Sequence, residues 1–269
     1  MQPPIETVEI TELGAGILIV AQRHGDRLPK ILSHNGRLYN RFMDQLFLPC
    51  STEDLSIAQI KVINRFREAR FASDPQFILN LSVKRRVAAA LLSISAKSIV
   101  EVGCGRFPIT QYLRPVSQYL CVEIDDQAIT ENCRLGIDCQ PLESFESAES
   151  LVLFDAFVAL FVFQFHVSDE LVTALRKHIR GGGIGIFNLH DVTPELRNRR
   201  IDAFQRSGWT ASTFHDVHPR LLKNEFVVLS DPETPQRLKR IGTLQSVLLS
   251  VDANRHLPFE LPGGDFPVV

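Results

Sequence analysis

The sequence predicts an α/β fold in which a mostly parallel β-sheet is covered by helices on both faces. From about residue 85 onward, short apolar segments rich in β-branched residues alternate with segments of helical composition. This alternation is typical of βα units, in which each helix returns the chain to the start of the next parallel strand. At 269 residues, of which 45% are hydrophobic, the chain is long enough for a large core domain with an added lobe.

Seven strands are predicted between residues 98 and 229. Residues 98–102 form a short run of strand composition, and residues 154–166, "FDAFVALFVFQFH", form a nearly all-apolar run that suits a central strand. The other five strands are predicted at residues 118–124, 137–142, 184–191, 210–217 and 225–229.

Start and stop signals predict the helices between these strands. Ser168 can cap a helix that we expect to end at Gly181-Gly182-Gly183, because glycine adopts the left-handed conformation without strain. Thr193 followed by Pro194 begins another helix, which ends near Gly208. Further helices are predicted to include residues 87–92, to open at residues 110–113 and to cover residues 126–135.

The two ends of the chain differ from this core, so we divide the sequence into three parts. Residues 1–84 form an N-terminal lobe with a hairpin at Asn35-Gly36, a dipeptide suited to a type I′ turn. Residues 85–231 form the sheet domain, and residues 232–269 form a C-terminal helix followed by a tail that contains proline and glycine. Within the lobe, helices are predicted near residues 40–48, 55–70 and 74–81.

The charge balance argues against a nucleic-acid partner. The formal net charge is −2 at pH 7, so no overall positive field exists to hold nucleic acid or an acidic membrane surface. Two basic clusters, "KRR" at residues 84–86 and "RNRR" at residues 197–200, are interpreted as solvated helix faces.

Neither a membrane anchor nor a signal peptide is predicted. The longest apolar run near the N-terminus, residues 16–21, is too short to span a bilayer and follows acidic residues. The five cysteines are odd in number and include no CxxC pair, which fits a reduced cytoplasm and argues against a structural zinc site. We therefore expect a cytoplasmic protein without a bound metal.

A glycine loop follows the first predicted strand. In "EVGCG", Gly103 and Gly105 flank Cys104, and a strand that ends at such a turn presents backbone N–H groups with no side chain to block a ligand. In "YLCVEID", Glu123 ends the next strand, twenty residues after Gly103. A carboxylate there can accept hydrogen bonds from both hydroxyls of a ribose, so the two motifs together predict a cofactor site.

Five motifs in order resemble the class I, Rossmann-like S-adenosylmethionine-dependent methyltransferases over roughly residues 85–231. They are "EVGCG", "VEID", "FDAFVALFVFQFHVSDE", "LRKHIRGGGIGIFNLHD", and the pair "FQRSGWTASTF" and "NEFVVLSD". The resemblance implies a Rossmann-like, seven-stranded, mostly parallel sheet with an antiparallel last strand, and S-adenosylmethionine as the cofactor. It also implies methyl transfer, which we expect to reach a small-molecule acceptor.

The resemblance assigns cofactor contacts position by position. It implies that Glu101 stands at the start of the loop and that Glu123 binds the ribose hydroxyls, with Ile124 beside it. The loop residues expected beneath the methionine and ribose parts are Gly103, Cys104 and Gly105.

Two departures from the family pattern affect these assignments. Phe107 replaces the third glycine of the loop, so the next helix must begin differently. The segment "CQPLESF" lacks the acidic residue that often contacts the adenine amine, which leaves Gln140 or Glu143 as the guess for that contact. Phe161 is expected to border the adenine, because adenine stacks on aromatic surfaces.

Candidate bases lie at the carboxyl ends of the fourth and fifth predicted strands, where ligands bind in open α/β sheets. They are His166, His190 and Asp191. Histidine titrates near neutral pH, but adjacent residues of a strand point to opposite faces, so His190 and Asp191 need not touch. The competing interpretation of His166 is that it forms part of a pocket wall. For His190 and Asp191, it is that they are hydrogen-bonded polar residues at the strand exit. In "HDVHP", His215 and His218 also face opposite ways on a strand, so no metal site is expected there.

Three alternatives stay open. The pattern G-x-G-x-x-P-x-T, carried by Pro108 and Thr110, resembles nicotianamine synthase-like enzymes, which use the aminobutyrate arm of the cofactor. Transfer or cyclisation of that arm would release methylthioadenosine. A non-catalytic interaction protein that keeps the fold is the second. A nicotinamide dinucleotide ranks lower, because Phe107-Pro108 interrupts G-x-G-x-x-G, with Pro108 in place of the third glycine. Residues 1–84 and the C-terminal tail are expected to form a lid and acceptor pocket, and a homodimer is left open.

Overall fold

The computed structural model divides the chain into two compact units, residues 1–70 and residues 71–269. A helix of the second unit, Pro75–Ser93, runs through residue 84, where the sequence suggested that the sheet domain begins. The residues described are 9–21, 28–42, 45–69, 75–113, 116–149, 152–165, 167–232 and 236–250.

The first unit contains a five-stranded antiparallel sheet in the order β1-β2-β5-β4-β3, followed by helix α1. Its elements are β1 (Ile10–Gly14), β2 (Ile17–Val20), β3 (Ile31–His34), β4 (Arg37–Arg41), β5 (Leu46–Leu48) and α1 (Ile57–Ala69). The hairpin is confirmed, because Asn35 and Gly36 both have positive φ and join β3 to β4. The helix predicted near residues 40–48 is wrong: Leu46 and Phe47 pair with β2 as buried strand residues.

The second unit contains a seven-stranded sheet in the order β11-β12-β10-β9-β6-β7-β8. Five strands are parallel, β12 is antiparallel to β10, and β11 is antiparallel to β12, so the Rossmann-like fold with an antiparallel last strand is confirmed. The strands are β6 (Ser98–Val102), β7 (Gln118–Glu123), β8 (Cys139–Pro141), β9 (Phe154–Ala159), β10 (Ile179–His190), β11 (Thr210–His215) and β12 (Asn224–Ser230). The helices are α2 (Pro75–Ser93), α3 (Asp126–Arg134), α4 (Leu142–Glu146), α5 (Asp169–His178), α6 (Pro194–Arg206) and α7 (Arg237–Leu248).

Two apolar layers cover the faces of this sheet. Successive strand residues point to opposite faces, so Ile99 packs in the layer with α2 and α7, whereas Val100 packs in the layer with α5 and α6. Both layers are rich in fully buried aliphatic and aromatic side chains. Burial on both faces explains why the central strands are apolar runs and not alternating ones.

Capping side chains begin three of the helices. Ser168 Oγ accepts from Leu171 N–H at 3.1 Å, and Thr193 Oγ1 accepts from Leu196 N–H at 3.3 Å, so both predicted caps are confirmed. Asp125 caps α3 in the same way, because its carboxylate accepts from Gln127 N–H at 2.9 Å.

The predicted end of the fifth helix is wrong. Helix α5 ends at His178, and Gly181-Gly182-Gly183 lies inside β10, where the pairing with β9 shifts between Ile179 and Ile184. A Cβ atom at Gly183 would lie 2.9 Å from the Asp155 carbonyl oxygen. The glycines therefore permit an irregular strand that runs close to its neighbour.

The fourth predicted strand is shorter than expected, and the helix predicted to open at residues 110–113 is a 3-10 turn. Strand β9 ends at Ala159, because Phe161 has a φ of +61° and turns the chain out of the strand. Residues 109–112 form one 3-10 turn and do not open an α-helix.

The interpretation of the basic cluster at residues 84–86 as a solvated face is wrong. Lys84, Arg85 and Arg86 are buried, and Arg86 is only 1% exposed. Partners distant in the sequence hold two of these charges: Lys84 donates to the Cys104 carbonyl, and Arg86 donates to the Asp216 carboxylate. Within the described residues, no helix combines the length and hydropathy that a membrane crossing requires.

Candidate functional site

The loop after β6 makes a tight turn that requires glycine. Gly103 has a φ of +67° and Gly105 a φ of +58°. The Gly103 N–H donates to the Val122 carbonyl at 2.7 Å, and a Cβ atom at Gly103 would lie 2.3 Å from Val162 Cγ2. The loop therefore lies directly against the segment that leaves β9.

Glu123, the last residue of β7, faces this loop. Its Oε2 accepts from Gly105 N–H at 2.8 Å, and its Oε1 accepts from the N–H groups of Ile124 and Asp125 at 2.7 and 3.2 Å. The side chain is buried, and burial raises the pKa of the carboxyl although the three backbone hydrogen bonds lower it. Each carboxylate oxygen has two lone pairs, so Oε2 can accept a further hydroxyl proton beside the loop.

Glu101 supports the loop from within the core. It is 1% exposed and accepts from Ile109 N–H at 2.7 Å and from the Tyr119 hydroxyl. Burial and the charge of Glu101 raise the pKa of Tyr119, so this phenol remains a hydrogen-bond donor. The bond to Ile109 begins the 3-10 turn without a third glycine, which accounts for Phe107 in that position.

Lys84 reaches the same loop from α2. Its Nζ lies 3.5 Å from Glu101 Oε1 and donates to the carbonyl of Cys104 at 3.0 Å and to that of Phe107. A buried ammonium group needs a counter-charge and acceptors, and the loop and Glu101 supply both. No local pattern identifies Lys84, because its partners lie 17 to 23 residues away.

Asn132, on α3, holds the other side of the loop. Its Nδ2 donates to the Gly105 carbonyl at 2.9 Å and lies 3.4 Å from Cys104 Sγ. Cys104 itself points into the core together with Cys121 and Cys139, and the three sulfur atoms lie within 4.8 Å of one another. The pKa of Cys139 is lowered because the thiols of Cys104 and then Cys121 donate hydrogen bonds to its sulfur.

A chain of buried amides fixes the exit of β9. The Phe161 N–H donates to Asn188 Oδ1 at 2.7 Å, and Asn188 Nδ2 donates to Asn224 Oδ1 at 2.6 Å. Asn188 and Asn224 are fully buried in β10 and β12. Phe161 has a positive φ, which is strained for a residue with a side chain, and this bond holds its backbone in that conformation.

The amide chain ends in a buried ion pair. Asn224 Nδ2 donates to Asp216 Oδ2 at 2.9 Å, and Arg86 binds both oxygens of Asp216 at 2.9 and 2.6 Å. Arg86 also donates to the Leu248 carbonyl at the end of α7, at 2.8 Å. Burial acts to raise the pKa of Asp216, but hydrogen bonds from Arg86, His218 N–H and Asn224 lower it overall. Polar residues inside apolar strands were the available sequence signal for this network, and sequence reasoning missed it.

The predicted bases and adenine contacts are placed as follows. His166 lies outside the described residues. His190 is the half-buried last residue of β10, and the exposed Asp191 carboxylate is bound by Lys223 Nζ at 2.7 and 2.8 Å. Gln140 is a half-buried residue of β8 beside Val122, and Glu143 is exposed on α4.

An open groove of about 440 Å³ lies at the end of β10 and the start of β12. Asp191 and Lys223 line it together with the ion pair between Arg197 and Glu225, whose atoms approach to 2.6 Å. His215 also lines it and is 3.8 Å from Glu225. Among the residues that the structure describes, the potential metal-ligating side chains that converge are the three cysteines, and the histidines of "HDVHP" are not part of that group.

Comparison with known proteins gives similarity in structure only. No protein-family profile matches the sequence, and no curated protein matches it significantly. An N-methyltransferase, NodS from Bradyrhizobium japonicum in complex with S-adenosylhomocysteine, is 16% identical, with 61% of this chain and 91% of that chain covered at a TM-score of 0.47. An S-adenosylmethionine-bound amino pentose methyltransferase of calicheamicin biosynthesis from Micromonospora echinaspora is 14% identical, with 63% and 96% covered at a TM-score of 0.45.

A third solved structure, a TehB-like S-adenosylmethionine-dependent methyltransferase from Corynebacterium glutamicum, is 13% identical. The alignment covers 63% of this chain and 95% of that chain, with a TM-score of 0.48. At these identities the likeness concerns the fold and does not extend to the acceptor or the reaction. The seven-stranded, mostly parallel sheet expected from the motifs is the sheet of the second unit.

Proposed function

We propose that the chain binds S-adenosylmethionine at Glu123 and the Gly103–Gly105 loop and transfers its methyl group to a small-molecule acceptor. The observation that carries this proposal is the hydrogen bond from Gly105 N–H to the Glu123 carboxylate, at 2.8 Å. The bond lies at the carboxyl edge of the sheet, where β7 is the neighbour of β6. Ligands of open α/β sheets bind at this edge.

The residues present fit such a cofactor. Glu123 offers a charged acceptor for hydroxyl donors, and Gly103 and Gly105 have no side chains that could block a ligand from the loop backbone. Lys84, Glu101 and Asn132 hold the loop from behind, so its shape is set before a ligand arrives. When bound, the sulfonium supplies a methyl group that is open to in-line displacement.

The contribution of this chain to transfer would be mainly positioning. The Asn188 amide fixes the turn at Phe161, and His190 at the end of β10 is our candidate for removing a proton from an acceptor. Asp191 is held by Lys223, so we propose that it shapes the local field and does not orient His190. We place the reaction in the cytoplasm, because all five cysteines are free thiols.

Calorimetry on Glu123→Gln tests the cofactor site. Loss of a charge-assisted hydrogen bond should cost roughly 1.5–3 kcal/mol, so we expect S-adenosylmethionine to bind about tenfold or more weakly. Glu149→Gln, which changes an exposed carboxylate after α4, is the matched control and should bind as the wild type does. Equal affinity for wild type and Glu123→Gln would remove Glu123 from the site.

The pH dependence of binding gives an independent test. The pKa of Glu123 is raised above its ordinary value of 4.5, and ionisation keeps Oε2 able to accept a ribose hydroxyl proton beside the Gly105 N–H. Affinity should therefore fall as the pH is lowered through this raised pKa, that is, before ordinary glutamates titrate. The same titration of Glu123→Gln should lack this step, and a wild type whose affinity stays constant down to pH 4.5 would contradict the assignment.

Product analysis separates the reaction classes. Incubation with S-adenosylmethionine and a metabolite extract should yield S-adenosylhomocysteine if methyl transfer occurs. Methylthioadenosine would instead indicate the aminobutyrate chemistry suggested by Pro108 and Thr110. Failure of the wild type to bind the cofactor at all would favour a non-catalytic interaction protein.

A further inference from the structure

Three thiols from separate parts of the sequence meet behind the glycine loop. Cys104 belongs to the loop, and Cys121 in β7 is the direct cross-strand partner of Cys139 in β8. Their Sγ atoms lie within 4.8 Å of one another. Exposure is 1% for Cys104, 0% for Cys121 and 8% for Cys139, so water has almost no access to the sulfur atoms.

We infer that Cys104, Cys121 and Cys139 form a three-thiolate binding site for a soft d10 metal ion, for which monovalent copper is the fitting occupant. Thiolate ligands select soft ions such as Cu(I) and Zn(II). Structural zinc takes four ligands, and among the described residues no histidine or carboxylate joins the three sulfurs. Copper(I) is stable with three thiolates in a plane, so it needs no fourth ligand.

The spacing of the sulfurs suits this geometry after a small contraction. A metal–sulfur bond of about 2.3 Å in a trigonal plane places the sulfurs about 4.0 Å apart. Since the sulfurs already lie within 4.8 Å, each pair must approach by less than about 1 Å. Binding converts the three thiols to thiolates, forms three copper–sulfur bonds and releases three protons to solvent, with no change of oxidation state.

The surroundings supply what a buried thiolate site requires. Asn132 is fully buried, and its Nδ2 lies 3.4 Å from Cys104 Sγ and 4.0 Å from Cys139 Sγ. Amide donors to metal-bound sulfur orient the ligands and stabilise their negative charge. The side chains of Ile129 and Ile137 pack against the cysteines and exclude water. The same Nδ2 also donates to the Gly105 carbonyl at 2.9 Å, so one buried amide faces both the glycine loop and the sulfur atoms.

Copper(I) titration of the full-length, fully reduced protein under anaerobic conditions tests the site. With the free ion buffered by a competing copper(I) chelator, we expect a single copper per chain and a thiolate-to-copper absorption band in the ultraviolet. X-ray absorption should show a shell of three sulfur atoms. Cys121→Ala and Cys139→Ala should each weaken binding by more than about 100-fold. Cys133→Ala, which changes an exposed cysteine on α3, and Cys50→Ala are the matched controls and should bind as the wild type does.

Three results would overturn the site. The first is copper binding that is lost in Cys133→Ala or Cys50→Ala, because the ion would then use other thiols. The second is a shell of fewer than three sulfurs in the wild-type protein, which decides the matter even if the core variants fail to fold. The third is preferential binding of zinc, under the same chelator competition, with nitrogen or oxygen in its first shell. None of these measurements depends on the proposed transferase activity.

Discussion

At the scale of single residues, Gly103 shows two separate reasons for glycine. Its φ of +67° is strained for any residue with a Cβ atom, and the Cβ would also lie 2.3 Å from Val162 Cγ2. Gly136, in the turn after α3, has a similar φ of +75° but has nothing within 4 Å of the Cβ position. Substitution at Gly136 therefore tests backbone strain alone, whereas substitution at Gly103 tests backbone strain together with steric overlap.

Gly103→Ala should destabilise the protein by about 2–4 kcal/mol. Backbone strain contributes roughly 1–2 kcal/mol. Overpacking against Val162 contributes roughly 1–3 kcal/mol, of which small shifts of the neighbouring atoms relieve a part. Gly136→Ala should cost only the strain, about 1–2 kcal/mol. Removal of the methyl groups in Gly103→Ala/Val162→Ala should relieve the overlap, so the double variant should be more stable than the sum of the single effects predicts. Urea unfolding measures these three variants and the single variant Val162→Ala, and strict additivity would contradict the close contact.

At the scale of elements, the buried network joins parts of the second unit that are far apart in the sequence. Arg86 of α2 binds Asp216 after β11, 130 residues away, and the Leu248 carbonyl of α7, 162 residues away. Asn224 and Asn188 continue the network through β12 and β10 to the turn at Phe161. The network thus connects the helical layer to the edge of the sheet where we place the substrate.

Arg86→Met should destabilise the protein by about 3–5 kcal/mol, because it leaves the buried Asp216 charge without its partner. Lys223→Met breaks an exposed ion pair, in which the side chains are 67% and 58% exposed, and should change stability by no more than about 1 kcal/mol. Thermal or urea unfolding compares the two. The double variant Arg86→Met/Asp216→Asn should recover part of the lost stability. If Arg86→Met costs as little stability as Lys223→Met does, the ion pair between Arg86 and Asp216 does not stabilise the fold.

At the scale of the whole molecule, the two units have separate cores. In the first unit, Leu18, Val20 and Phe47 belong to one buried cluster. The two large clusters of the second unit flank the seven-stranded sheet, one with residues of α2 and α7 and the other with residues of α5 and α6. A unit with its own core can fold alone.

Residues 71–269 should therefore fold without residues 1–70, with cooperative unfolding by circular dichroism. All described residues that we assign to the cofactor belong to this part, so its affinity for S-adenosylmethionine should match that of the full chain within a few fold. The full-length protein is the reference in both measurements. A fragment that unfolds without a cooperative transition would show that the first unit is needed for stability.

Local patterns predicted the elements whose signals are contained in neighbouring residues. The strand at residues 98–102, the caps Ser168 and Thr193 and the hairpin turn at Asn35 depend on propensity and capping within a few positions. The glycine run at residues 181–183 was misread because the same residue type ends helices and permits irregular strands. Only the neighbouring β9 distinguishes the two uses.

In the second unit, the sequence by itself determined the presence of the seven strands and their apolar layers. It also determined the adjacency of the glycine loop to Glu123, since parallel neighbours bring their carboxyl ends to one edge. The tertiary structure alone decided the partners of buried charge and sulfur. Lys84 and Arg86 are charged residues of helix α2, and they can be buried because hydrogen-bond acceptors from distant segments pair with them. Cys104, Cys121 and Cys139 converge because strand register, which no local pattern encodes, aligns their side chains.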